Sequence, residues 1–279
     1  MKLYTLLIFT IAAILLLGGC GQEDFPVIGT SVDIEAAYAQ VFSDWQLWSV
    51  EENLVYYING SISAAHGDSA SFSAFSGFYQ QRVRDQAKEI YTQLSLSLSD
   101  GDYYDYRYAT DSLRYIGYVE SGDLNITSSD DERNKTYNCE ELQQSDFNEC
   151  ITYGKPVWPF EESMVKAATE DFDEESGDKT LLLYFHPEQS EQTVVILLEA
   201  INYLDTSNND IECETQSIFL QADYHEDALR SLSYNVSAKL SSQGETLNVV
   251  YKIYYSLAAT GENVSFELPD FDQMLSSGE

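Results

Sequence analysis

Basic residues are scarce in this chain: 14 Lys and Arg stand against 47 Asp and Glu, for a formal net charge of −33 over 279 residues. A surface with that balance repels nucleic-acid phosphates and anionic headgroups, so a basic-patch binder of nucleic acid is excluded and the charge reads as a densely hydrated carboxylate coat. Histidine is nearly absent too. His66, His186 and His225 stand alone with no HxxH or HExxH spacing, and no CxxC pair exists, so no metal site is expected. The stretch "HGDSASFSAFSGF" forms no GxSxG elbow, and the phosphate loops GxGxxG and GxxxxGK(S/T) are missing. The acidic run "DTSNNDIECETQ" fails as a calcium loop, because Asp210 stands where glycine is required and Gln216 where a bidentate Glu belongs. These absences lead to the expectation of a protein with no catalytic residues, no metal and no cofactor, and hence of no enzyme.

What is present begins with a greasy run, Leu3 to Leu17, preceded by Lys2 and ending in "LGGCGQED". It is short for a bilayer span, which needs about 20 apolar residues, and it fits the apolar region of a secretory signal. Leu17-Gly18-Gly19-Cys20 resembles the bacterial lipobox, in which small residues admit the peptidase and the cysteine thiol receives the lipid. That resemblance implies a signal peptide over 1–19, lipidation (palmitate-type acylation) at Cys20, and a hydrated tether over 20–29. It also implies an extracytoplasmic protein held by its N-terminal lipid to a bacterial cell membrane or outer membrane, in the periplasm or cell envelope.

Lipidation of Cys20 would leave Cys139, Cys150 and Cys213. An exported chain meets an oxidising compartment, where two of the three can pair. Cys139 with Cys150 closes the shortest loop, in the polar stretch "CEELQQSDFNEC", and a loop of that size contributes roughly 2–3 kcal/mol on the chain-entropy model. Pairing of Cys213 with either of the others is the competing arrangement.

At 44% hydrophobic and 13% aromatic, the remainder is rich enough to bury a core. Residues 30–279 read as one α+β domain. Ile34, Tyr38, Val41, Trp45 and Trp48 recur at helical spacing, with Thr30 or Ser31 placed to cap the helix and Asp33 in its first turn. From Leu54 the period changes to two. "YTQLSLSLSDGDYYDYRY" alternates on both sides of Asp100-Gly101 and reads as a hairpin. "NLVYYINGSIS", "SFSAFSGFYQ", "SLRYIGYVE" and "DLNIT" read as further strands. Met164, Val165, Ala168 and Phe172 suggest a short helix running into an acidic loop, and "KTLLLYFH" a strand. Val194, Leu197, Leu198, Ile201 and Leu204 suggest a second helix that starts near Pro187. The tail returns to alternation, with "SSQG" turning between two long strands. Helices gathered on one side of an antiparallel sheet form the expected architecture.

This order of a helix after a tether, Tyr-rich hairpins, a central helical insert at 161–205 and a closing hairpin ending in "VSFELPD" resembles the lipoprotein-carrier-like fold. The resemblance implies an open antiparallel β half-barrel with an N-terminal helix and a central helical insert. It further implies a non-enzymatic protein that binds or carries an apolar, lipid-like ligand on the inward faces of its strands. Leu94, Leu96, Leu98, Val249 and Ile253 are the positions that alternation would turn inward to meet such a ligand. A cell-envelope module with a filled core and no ligand is the alternative from a different class. The expected partners are the membrane, through the lipid, and that apolar ligand.

Overall fold

The computed structural model describes residues 28–67, 69–84, 87–98, 101–109, 113–121, 136–141, 154–200, 211–242 and 245–264. Within these, residues 84, 87, 96–98, 101–109, 113–121, 136–141 and 263 are described by their backbone alone. The signal, most of the tether, Cys20, Cys150, "DLNIT" and the C-terminal "VSFELPD" beyond Val264 lie outside the described residues.

Alternating residues make twelve strands: β1 (Thr30–Ser31), β2 (Leu54–His66), β3 (Ser69–Arg84), β4 (Ala87–Leu98), β5 (Gly101–Ala109), β6 (Leu113–Ser121), β7 (Thr136–Glu141), β8 (Val165–Asp173), β9 (Asp178–Phe185), β10 (Glu212–His225), β11 (Ala228–Ser242) and β12 (Glu245–Thr260). Among the described residues two α-helices accompany them, α1 (Ile34–Val50) and α2 (Glu191–Glu199). The strands form one open antiparallel sheet in the order β1-β8-β9-β10-β11-β12-β2-β3-β4-β5-β6-β7. The expected hairpin is there, with Leu98 paired to Gly101. So is the turn after β11, where Ser242 pairs with Glu245.

The strand order forces the chain to cross one face of the sheet twice. From β1 at the edge to β2 is six inter-strand steps, roughly 29 Å at about 4.8 Å each. Helix α1, with 17 residues, spans about 26 Å at 1.5 Å per residue, so it is the right length for that crossing. Its expected stripe faces the sheet: Val41 and Trp48 are buried, and Ile34, Tyr38 and Trp45 pack against the same core. The cap differs from expectation. Asp33 accepts from the Ala36 amide at 2.9 Å, while Thr30 and Ser31 pair with Glu170 and Thr169 as edge strand β1.

The second crossing takes the chain from β7, at one edge, to β8, beside the other. Residues 154–160, "GKPVWPF", make it as an extended strap over the inner face. Two prolines deny it a helix or a place within the sheet, so its carbonyls have to find donors elsewhere. Side chains supply them. Trp45 Nε1 donates to the Pro156 carbonyl at 3.0 Å, Tyr234 Oη to Val157 at 2.7 Å, Thr193 Oγ1 to Pro159 at 2.9 Å and Tyr38 Oη to Phe160 at 2.9 Å. Phe160 stacks on Phe185 with ring centroids 4.3 Å apart.

One expected helix is absent. Met164 closes a single 3-10 turn, and Val165–Asp173 is strand β8 paired to β9. A bulge between Val165 and Ala167 explains the misleading period. The extra residue puts Val165 and Ala168 on the same face at a spacing of three, and both are buried in the core. The acidic stretch that follows is the β8–β9 hairpin turn, where Asp173 Oδ1 accepts from the Glu175 and Ser176 amides. Of the expected insert over 161–205, α2 is the one α-helix among the described residues. Pro187 opens a 3-10 turn before it rather than the helix itself.

The strap's dependence on donors can be measured. Tyr234 is buried and its hydroxyl serves the Val157 carbonyl, so Tyr234→Phe leaves a buried acceptor unpaired and should cost about 1–3 kcal/mol. Tyr254→Phe, on an exposed ring of β12, should leave the denaturation midpoint unchanged. Equal midpoints for the two variants would contradict the strap's hydrogen bonding.

Candidate ligand site on the inner face

Three of the five residues expected to face a ligand have described side chains, and all three are core. Leu94 is 4% exposed, Val249 1% and Ile253 1%. A side chain lining an empty cavity would keep accessible surface, so Val249 and Ile253 are covered by the protein's own atoms. Leu96 and Leu98 lie in β4, and their side chains fall outside the described residues.

The inner face is different at the β2–β4 end of the strap. Gly154, at φ +82°, lies against the sheet there: a Cβ would stand 2.9 Å from Thr92 Cγ2 and 3.4 Å from Ile58 Cδ1. Glycine is required both by the left-handed backbone and by that contact. The next residue, Lys155, holds its Nζ 5.4 Å from the centroid of the Tyr79 ring, within cation–π range. Tyr79 is fully buried and donates to Gln81 Oε1 at 2.9 Å. Gln81 Nε2 in turn donates to the Glu51 carbonyl at 2.7 Å and to Glu52 at 3.3 Å. This chain ties the C-terminal end of α1 to β3. Two residues before Ile90 on β4 comes a second half-buried lysine, Lys88.

Strap, helix end and strands thus bring two lysines to one place. Burial pushes the Lys155 ammonium down to about 8, and the neighbouring Lys88 charge pushes it the same way. Burial also lowers Lys88, which Glu52 partly offsets. Among the described residues neither lysine has a carboxylate within ion-pair distance. On the last turn of α1, Leu47 and Val50 are 64% and 72% exposed, so apolar surface lies open at the helix end that Gln81 holds over β3. The arrangement can take an anionic group beside apolar surface.

The histidines are placed for no such chemistry. His66 meets Glu245 and the Thr246 carbonyl and His225 meets Asp178 at exposed positions, and the half-buried His186 meets Glu188. Among the described residues no three of His, Cys, Asp and Glu converge as a metal site, and no helix is long and apolar enough to cross a membrane. Cys213 is a free, partly buried thiol that burial pushes up, which disfavours the thiolate. Cys139 lies in β7, and its side chain falls outside the described residues, as does Cys150.

No family model and no curated protein matches the chain. Among solved structures, the ywiB protein from Bacillus subtilis is similar at 10% identity over 77% of this chain and 99% of that one, with a TM-score of 0.24. The dehydratase domain from the CurF module of curacin polyketide synthase follows at 8% identity, 80% and 82% coverage and a TM-score of 0.15. The Pseudomonas aeruginosa MucA/MucB complex gives 9%, 84% and 97%, with a TM-score of 0.11. At TM-scores this low, neither a family nor an activity passes from these proteins to this chain.

Periodicity in the sequence does not mark the strap or its lysine. A signal was there to find: two of the chain's five prolines stand three apart among Trp, Val and Phe, an apolar run barred from both regular structures.

The Lys155 shift has a defined consequence for stability. The folded state releases this proton near pH 8, while an ordinary lysine holds it to 10.5. The unfolded chain therefore binds more protons between those values, and folded stability rises with pH across that window. Lys155→Met should be more stable than the parent at pH 7, and the difference should shrink as pH rises from 8 towards 10. Thermal melts of both proteins across this range check it; a difference independent of pH would contradict the buried charge.

Proposed function

We propose that this chain is a lipid-anchored, extracytoplasmic, non-enzymatic protein of the lipoprotein-carrier-like half-barrel type, which takes an apolar, lipid-like ligand on the inner face of its sheet. The observation that carries the reading is the open twelve-stranded sheet whose apolar face is roofed by two chain crossings. An open sheet covered by crossing segments offers an apolar molecule a place between roof and strands. The ligand-contacting end is the β2–β4 end, at the strap's Gly154 and the exposed Leu47 and Val50 of α1, because Leu94, Val249 and Ile253 are all covered. The anchor is Cys20, and Cys139 with Cys150 forms the disulfide.

The filled packing at Val249 and Ile253 favours the second reading, an anchored envelope module without a ligand. Native mass spectrometry of the purified protein, with titration of an uncharged alkyl fluorophore, separates the two. Retained lipid or saturable probe uptake is expected; neither lipid nor uptake would leave the module reading in its place.

The cysteine assignments are tested together in cells fed a labelled fatty acid. Cys20→Ser should abolish acyl labelling. Alkylation of the denatured, unreduced protein should modify Cys213 alone. Undiminished labelling, or alkylation of Cys139 or Cys150, would overturn the respective assignment.

A further inference from the structure

We propose that Lys155 and Lys88 together hold the anionic headgroup, a carboxylate or a phosphate, of an amphiphile whose chain lies on the apolar surface of Leu47 and Val50 at the end of α1. This rests on the apolar-ligand reading above and adds the chemistry of the ligand's polar end.

Three observations converge on it. First, both lysines are half-buried on the same stretch of sheet: Lys155 lies over Tyr79, and Lys88 is one same-face step from Ile90, whose strand partner Gln81 bonds the Tyr79 hydroxyl. Bringing two like charges together out of water is unfavourable unless an anion joins them. Second, supply does not explain the missing partner. Acids outnumber bases 47 to 14, yet among the described residues no carboxylate reaches ion-pair distance of either ammonium. Elsewhere Arg82 pairs with Glu89, Lys239 with Glu214 and Lys179 with Asp227. Lys252 on β12 is half-buried and also has no ion pair among the described residues, but it stands alone rather than beside a second cation. Third, Lys155 is held in place by a built support. Gly154 locks the strap against Thr92, the Tyr79 ring lies beneath the ammonium, and Gln81 fixes Tyr79 to the end of α1. A solvated lysine needs none of this. Apolar surface at Leu47 and Val50 lies at the same helix end, so a charged head and an alkyl chain can be accommodated together.

The test compares dodecanoate, dodecyl phosphate, dodecanol and inorganic phosphate as competitors of an uncharged alkyl fluorophore on the full mature protein. Both anionic amphiphiles should compete about tenfold or more better than dodecanol, as expected for charge-assisted hydrogen bonds. Lys155→Met and Lys88→Met should each erase most of that preference while leaving dodecanol unchanged, and Lys155→Arg should retain it. Dodecanoate stays ionised from pH 7 to 9.5, so weaker competition at the higher pH, with dodecanol constant, reports the lysine directly in the unmodified protein even if a variant fails to fold. Equal competition by dodecanol and dodecanoate overturns the headgroup site while sparing the apolar-ligand reading. Competition by inorganic phosphate as strong as by dodecyl phosphate also overturns it, in favour of a free-anion site. Failure of the fluorophore to bind at all overturns both.

Discussion

A backbone that crosses the apolar face of a sheet has to bring its own hydrogen bonds or be given them, and the rest of this structure depends on how that is met twice. Helix α1 satisfies its own backbone internally. The strap cannot, because its prolines break any regular pattern, and its carbonyls accept instead from Trp45, Tyr234, Thr193 and Tyr38. The donors come from α1, β11 and α2, so the strap joins three separate elements of the fold. Each such bond contributes on the order of 1 kcal/mol net, and losing one costs more because the acceptor stays buried.

This explains where the tyrosines are. Sheet propensity brings Tyr to strands and does not say which face it takes. Here Tyr56, Tyr79, Tyr234, Tyr251 and Tyr255 are fully buried on the inner face. Three of them direct hydroxyls to groups that order the roof: Tyr56 to the Trp48 carbonyl, Tyr234 to the strap, and Tyr79 to Gln81, which holds the α1 terminus. A phenol suits this work because the ring fills the core while the hydroxyl reaches a carbonyl about 6 Å further in. Burial pushes these phenols up and so suppresses their ionisation, and they remain neutral donors.

Local periodicity was a sound guide where one element obeyed one rule. The α1 stripe, the β2–β5 alternation and the β11–β12 turn are all present in the fold. It misled at β8, where one bulge residue gave strand positions Val165 and Ala168 a helical spacing. It was silent about strand order, which arises from pairings between distant segments such as β12 with β2. Without that order nothing marks residues 154–160 as a crossing, and Lys155 looks like any surface lysine. Alternation likewise identified Val249 and Ile253 as inward-facing, which they are. It could not say that a helix and a strap would cover them.

The acidic coat and a cationic pair on the inner face act over different distances. At physiological ionic strength the field of an exposed charge is screened within about 8 Å. The −33 net charge therefore disfavours a polyanion that would have to touch many carboxylates at once. Lys155 and Lys88 act at contact, in surroundings where burial weakens screening and where the Tyr79 ring already favours a cation. A single anionic head on an alkyl chain meets only the local term. An acidic composition is therefore compatible with a local anion site.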